Sequence, residues 1–221
     1  MVILALDTSA DICKIGIRKN NKNFCCSAPA EKRQLDVVFP LLNDLLTSTG
    51  VTRKEINGLI VPVGPGSFTG VRLSTTIGRA IATALKVRLI GVSSLEALAT
   101  TAARLSGSPY IAAATDAKRN QIYFAAYDFK ENSNAPKPIV PDRITDPDRI
   151  TPMEEVPWAL AGEGWLRYKD KLEKNFLAYE HTGITDTEIS DMLVTGETKI
   201  RENSISEDTA SPVYLRHPVD R

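Results

Sequence analysis

Histidine is the scarcest titratable residue in this 221-residue chain: His181 and His217 are the only two, and they lie far apart in sequence. No helical pair of imidazoles is present to hold a catalytic or structural zinc, so no metal ligands are assigned and a metal-dependent hydrolase or transferase is disfavoured. Cysteine is nearly as sparse. Cys13, Cys25 and Cys26 form an odd count without metal-site spacing, which argues against a disulfide framework and fits a reducing, cytoplasmic compartment. No Gly-x-Ser-x-Gly elbow occurs and no histidine neighbours the cysteines, so no catalytic nucleophile is assigned. Long apolar runs are missing too: nothing approaches the roughly 20 residues of a membrane span, and Met1 leads into residues 2–6 without a basic leader, so neither export nor anchoring is expected. Finally, 27 basic side chains balance 27 acidic ones, which removes the global positive field of a typical nucleic-acid binder. If the chain touches RNA, something else is expected to hold that RNA.

What remains, 43% apolar and 24% charged residues, suits one large globular domain or two small ones. Residues 2–8 are β-rich and almost uniformly apolar, residues 12–18 alternate, and the turn residues at 19–22 lead into 23–28, so the chain opens with a three-stranded antiparallel meander. Leu35, Val38, Phe39, Leu42, Leu45 and Leu46 share one face of a helix over 34–48, which Pro40 is expected to bend. Thr52–Glu55 and Ser93–Glu96 match capping boxes. Between them, strand 59–63, helix 69–85 and strand 88–92 alternate, and the second box opens a helix to 105. Strands 110–115 and 121–127 begin a second meander, a hint of duplication. Six prolines between 129 and 157 exclude a long helix there, leaving loop with edge pieces. A short strand at 158–161, helices over 166–175 and 187–195, and an ordered anchor at 212–216 complete the chain.

Three segments are candidates for chemistry. Gly64, Gly66 and Ser67 lie in a loop joining a buried strand to a helix, where exposed backbone N–H groups can hold phosphate; glycine equally permits a plain tight turn. The loop lacks a P-loop lysine and dinucleotide spacing. Asp7, Thr8 and Ser9 end the first strand with a carboxylate and two hydroxyls, suited to a nucleotide phosphate with magnesium or to an Asx turn. Gly162 and Gly164 can admit a nucleotide close to the backbone. On helix 69–85, Ser74, Gly78 and Ala82 form a stripe of small residues beside the aliphatic stripe Leu73, Ile77, Ile81 and Leu85. A small-residue stripe admits another helix closely, whether from a partner or from the chain's own preceding helix.

In order along the chain, Leu4-Ala5-Leu6-Asp7-Thr8-Ser9, Gly64-Pro65-Gly66-Ser67-Phe68-Thr69-Gly70-Val71-Arg72, Gly91-Val92-Ser93-Ser94-Leu95 and Pro212-x-Tyr214-Leu215-Arg216 resemble the TsaB, or YeaZ, family of bacteria. The resemblance implies an α/β, actin-like fold (ASKHA, ribonuclease H-like) of duplicated lobes, each a mixed sheet with an antiparallel meander and flanking helices, here 1–106 and 107–221. It also implies a non-catalytic subunit for threonylcarbamoylation of the adenosine beside the tRNA anticodon. That subunit heterodimerises with TsaD, recruits the ATPase TsaE and reaches tRNA only through the complex. The family's helical contact places the partner surface at Leu35, Phe39, Leu42, Ser74, Gly78 and Ala82, and Gly78→Leu is then expected to block association and spare the fold. No cofactor is expected to bind this chain tightly; ATP or ADP is a candidate within the complex, and a homodimer is a candidate without the partner. The sequence departs from the family at Lys32-Arg33-Gln34-Leu35-Asp36, where a histidine is usual, so no base or metal ligand stands there. A glycoprotease-like peptidase and an actin-fold kinase or ATPase are the competing readings.

Overall fold

The protein is described from a computed structural model over residues 1–30, 33–151, 156–176, 179–202 and 210–216. Lys32, Pro152 and His217 lie outside the described residues. Contacts divide the chain into two compact units, Met1–Ser93 with Ile189–Val213, and Ser94–Glu188 with Tyr214–Arg221.

In the first unit, β1 (Val2–Asp7), β2 (Ile12–Lys19) and β3 (Lys22–Pro29) form the expected antiparallel meander. The strands β4 (Gly58–Pro62) and β5 (Arg88–Val92) add in parallel beside β1, giving the order β3-β2-β1-β4-β5. Central β1 is buried along its whole length because helices cover both faces, which explains its unbroken apolar run. Helices α1 (Gln34–Thr49) and α2 (Phe68–Leu85) flank one core, built from Leu4, Leu6, Ile15, Ile17, Leu59 and Val61 with Val38, Leu42, Leu45 and Ile77. The aliphatic stripe Leu73, Ile81 and Leu85 packs against that same cluster. Thr52 and Glu55 make the expected reciprocal cap, on a 3₁₀ turn over Arg53–Glu55.

The opposite face of this sheet takes α6 (Ile189–Arg201). Close approach is built in from both sides. A Cβ on Gly16 would stand 2.8 Å from Leu193 Cδ1, one on Gly58 would stand 2.9 Å from Ile200 Cδ1, and one on Gly196 would collide with Ile60. Arg18 and Arg201 both pair with Glu197, which fixes the outer edge of α6. Burial works against ionising Glu197, but hydrogen bonds from the two guanidinium groups outweigh it and hold the carboxyl below its ordinary range.

The second unit repeats the connectivity. β6 (Tyr110–Lys118), β7 (Gln121–Asp128) and β8 (Lys137–Thr145) form a meander, and β9 (Ala159–Ala161) and β10 (Glu180–His181) add in parallel, in the order β8-β7-β6-β9-β10. One face carries α3 (Ser94–Ser106), with Leu95, Leu98 and Ala102 against Ile111, Ala113 and Ala125. The other is filled by Trp158, Trp165, Phe124 and Leu172, where α4 (Glu163–Arg167) and α5 (Lys169–Phe176) pack. Trp165 Nε1–H donates to Ala112 O at 2.9 Å, so the large ring is buried with its polar edge satisfied.

Three expectations need correction. The proline-rich stretch, expected as loop with edge pieces, does supply an edge strand, but β8 runs for nine residues; Pro138 and Pro141 are tolerated because one row of N–H groups at the edge needs no ladder partner. The helix read over 166–175 is two, broken at Tyr168. The compact units also differ from the halves 1–106 and 107–221. Helix α3 follows the first sheet yet buries its apolar face on the second, and α6 follows the second sheet yet buries its face on the first.

Because the carboxyl of Glu197 is depressed in the folded state, its contribution is present above the ordinary glutamate range and is lost as pH falls through the folded value. Urea midpoints measured against pH should therefore fall on the acid side, and Glu197→Gln should flatten that limb; an unchanged limb would remove Glu197 from the account.

Candidate functional site

The loop after β4 and the end of β1 meet at the N-terminus of α2. Thr8 is fully buried, and its N–H donates to Ser74 Oγ at 2.8 Å. Its hydroxyl lies 2.9 Å from Gly70 O, to which it donates, and 2.8 Å from Ser74 Oγ. Gly70 is required by this contact, since a Cβ there would run into the Thr8 carbonyl. Asp7 is nearly buried and accepts the Ser9 N–H at 2.7 Å, an Asx turn. Ser67 caps α2, its hydroxyl accepting the Gly70 N–H at 3.3 Å. Gly64 has φ +91°, a conformation that favours glycine, and the strand before it is tied by Val213 N–H to Val63 O at 2.8 Å. Thus Asp7, Thr8, Ser9, Gly64, Gly66 and Ser67 do gather at one place, where the Asp7 carboxylate, the Thr8 N–H and hydroxyl, the Ser9 N–H and the Ser67 hydroxyl serve the chain's own turn, cap and helix contact.

Gly162 and Gly164 belong to the second unit and make a matching contact there. Gly162 has φ +104°, and a Cβ on it would collide with Ala114 O; one on Gly164 would stand 2.8 Å from Ala114 C and O. The space a side chain would need at these glycines holds the backbone of β6, so their lack of a Cβ serves this packing. No group of three or more His, Cys, Asp or Glu side chains is placed to hold a metal among the described residues. Burial, then the nearby Asp7 charge, push the Cys13 thiol up to about 11, leaving it protonated at neutral pH.

The predicted partner stripe is also corrected. Ser74, Gly78 and Ala82 are buried against the chain's own sheet, facing neither a partner nor the preceding helix. A Cβ on Gly78 would stand 2.6 Å from Val61 Cγ1 and 3.1 Å from Leu89 Cδ1. Leu42 lies in the core beneath α1, whereas Leu35 and Phe39 are exposed at 55% and 46%. The sequence reading missed the other side of α2. There Thr76, Arg79, Ala80 and Thr83 line a groove of about 770 Å³, with Arg72 at one end and Ala210 and Pro212 along its side. Phe68 stands exposed beside it, with the Arg72 guanidinium over its ring at 3.6 Å. The missed signal was that Thr76, Ala80 and Thr83 are as small as the stripe chosen and lie on the opposite helical face.

Duplicated lobes of this connectivity, with helix starts packed closely on or just past the central strands, define an actin-like α/β protein. The family model described as TsaD, tRNA N6-adenosine threonylcarbamoyltransferase, matches residues 28–210. The Escherichia coli K12 protein named tRNA threonylcarbamoyladenosine biosynthesis protein TsaB is 28% identical over 99% of this chain and 96% of its own length. A Pseudomonas aeruginosa structure described as similar to peptidase YEAZ superposes with TM-score 0.88 at 26% identity, covering 97% of this chain and 99% of that one. A second P. aeruginosa structure, named YeaZ, gives 0.84 at 27% identity, covering the same shares. The chain belongs to the tRNA N6-adenosine threonylcarbamoyltransferase family, in its TsaB (YeaZ) branch.

The corrected packing makes Gly78→Leu a core defect: overpacking against Val61 should cost about 1–3 kcal/mol or more. Ser74→Ala strands the buried Thr8 N–H and should cost about 1–3 kcal/mol. Urea denaturation of both variants checks this, and wild-type midpoints would contradict the packing.

Proposed function

We propose that the chain is a non-catalytic subunit in the threonylcarbamoylation of the adenosine beside the tRNA anticodon. It acts by forming a heterodimer with the catalytic subunit TsaD and by recruiting the ATPase TsaE. The observation that carries this reading is the near-complete overlap with a relative named for that biosynthesis, together with a family model built on the transferase itself. The reading is supported by the use of Thr8, Ser9, Ser67, Gly70, Gly162 and Gly164 for internal contacts, which suits a scaffold. A kinase or ATPase would need those positions for a substrate. On this reading the protein works in the cytoplasm and binds no cofactor tightly by itself, with ATP or ADP held within the complex.

The partner surface is the outward side of α1 and α2: Leu35 and Phe39 on the first, Thr76, Arg79, Ala80 and Thr83 on the second. Small side chains over one face of α2 let a partner helix approach closely, and Phe39 and Phe68 supply exposed aromatic area of the kind that dominates interface energetics. In the absence of TsaD the same surface is available for a homodimer.

Size-exclusion chromatography with light scattering on this chain, TsaD from the same organism and their mixture should give a one-to-one species. Ala80→Arg should weaken that species by about tenfold or more while leaving the thermal midpoint unchanged, because Ala80 is exposed. A wild-type chain that fails to associate contradicts the subunit reading; normal association of the Ala80 variant contradicts only the surface.

A further inference from the structure

The tip of the β6–β7 hairpin is more constrained than its turn requires. Arg119 and Asn120 have φ of +54° and +59°, as the two central residues of a type I′ turn must. Lys118, at +62°, is a third consecutive non-glycine residue in the left-handed region. The strand register also shifts between Asp116 and Lys118, a bulge. Bulges re-aim side chains. Here Lys118 turns back, with Nζ 2.9 Å from Asp116 Oδ2 and its N–H donating to Oδ1 at 2.8 Å.

Two other segments converge on the same spot. Arg167 at the end of α4 places Nε 3.2 Å from Asp116 Oδ2, and the Tyr168 hydroxyl donates to Oδ1 at 2.8 Å. Arg216, from the C-terminal segment, donates to Ala117 O at 2.9 Å. The Asp116 side chain is 4% exposed, whereas those of Lys118 and Arg167 are 77% and 59% exposed. The second acid is Glu163, whose carboxylate accepts the Asp116 N–H at 3.1 Å. Burial opposes ionisation of Asp116, but these donors outweigh it and hold the carboxyl below its ordinary range. Its oxygens are occupied by the protein's own donors, so the cluster is not built to take a cation. Three cationic side chains, Lys118, Arg167 and Arg216, meet here with the carboxylates of Asp116 and Glu163, and Arg119 follows Lys118 at the turn. A guanidinium carries five N–H donors and an ammonium three, more than the contacts named for Lys118, Arg167 and Arg216 occupy.

We propose that this cluster contacts the phosphodiester backbone of RNA, giving the chain a direct hold on the tRNA substrate in addition to any made by its partner. The proposal rests on the reading that the chain serves tRNA modification. Guanidinium and ammonium groups tied to Asp116 and Ala117 match phosphate oxygens and read no sequence. The chain's balanced total charge is no obstacle, because the positive charge is local.

The test uses Lys118→Asn with Arg119→Asn, since asparagine tolerates the left-handed backbone and keeps the turn. A full-length tRNA transcript is titrated with the wild-type and variant proteins, alone and with TsaD, over a series of salt concentrations. Wild-type affinity should fall with salt, and the variant should bind several-fold more weakly, with the slope of log affinity against log salt reduced by about 2. A variant with wild-type affinity and slope overturns the proposal, even where the heterodimer forms normally. Should the heterodimer fail to form, the reduced slope on the isolated chain still supports the RNA contact while the subunit reading falls. If ATP displaces the transcript from the wild-type protein, the cluster takes nucleotide phosphate and the assignment to RNA is overturned.

Discussion

The hydroxyl of Thr8, held between Gly70 O and Ser74 Oγ at the end of β1, is the contact on which the rest of the first lobe depends. It sets the rotation of α2 about its own axis. With Ser74 turned inward to meet Thr8, Gly78 and Ala82 follow at four-residue steps onto the sheet, and Leu73, Ile77, Ile81 and Leu85 face the α1 side of the core. Thr76, Ala80 and Thr83 are left outward. A buried hydroxyl with both partners satisfied is costly to disturb, so this rotation is well specified. The outward groove is therefore a consequence of an inward hydrogen bond.

The second lobe repeats the device with different residues. Where the first uses Gly70 to bring the start of α2 against Thr8, the second uses Gly162 and Gly164 to bring the start of α4 against Ala114. In both lobes a glycine at a helix start lets the chain's own backbone pack closely, against the turn after β1 in one and against β6 in the other. Fold by itself does not supply a nucleotide-dependent function. A subunit of the kind proposed would keep the duplicated architecture and work through its surfaces, with the outward side of α1 and α2 in one lobe and the cationic hairpin in the other as the proposed contacts.

Much of the architecture was legible in the sequence because it follows from period. Alternation in residues 12–18, the buried run of β1 and the turn at Asn20 and Asn21 gave the first meander, and the three- and four-residue recurrence gave α1 and α2 nearly to the residue. The Asp7-Thr8-Ser9 turn was also readable, though its coupling to Ser74 was not, since the two lie 66 positions apart. An edge piece was legible in the proline-rich stretch, but the nine-residue extent of β8 was not, because prolines exclude helix without marking where an edge strand begins or ends. The exchange of α3 and α6 between units was hidden because an amphipathic helix shows that it has a buried face without showing which sheet covers it. The inward side of α2 was misassigned for a related reason: small residues permit close approach, and the approaching surface was the strand pair β4 and β5. The cluster at Asp116 left only a faint trace, a run of polar residues between two strands.

The central claim is that α1 and the outward side of α2 form the working surface of this lobe. Hydrogen–deuterium exchange of the chain, alone and mixed with TsaD, tests it most directly. The account predicts slowed exchange in peptides covering Gln34–Thr49 and Phe68–Leu85, with β6 and β7 unchanged when no RNA is present. Protection confined to the second lobe, or an exchange pattern indifferent to TsaD, would contradict it.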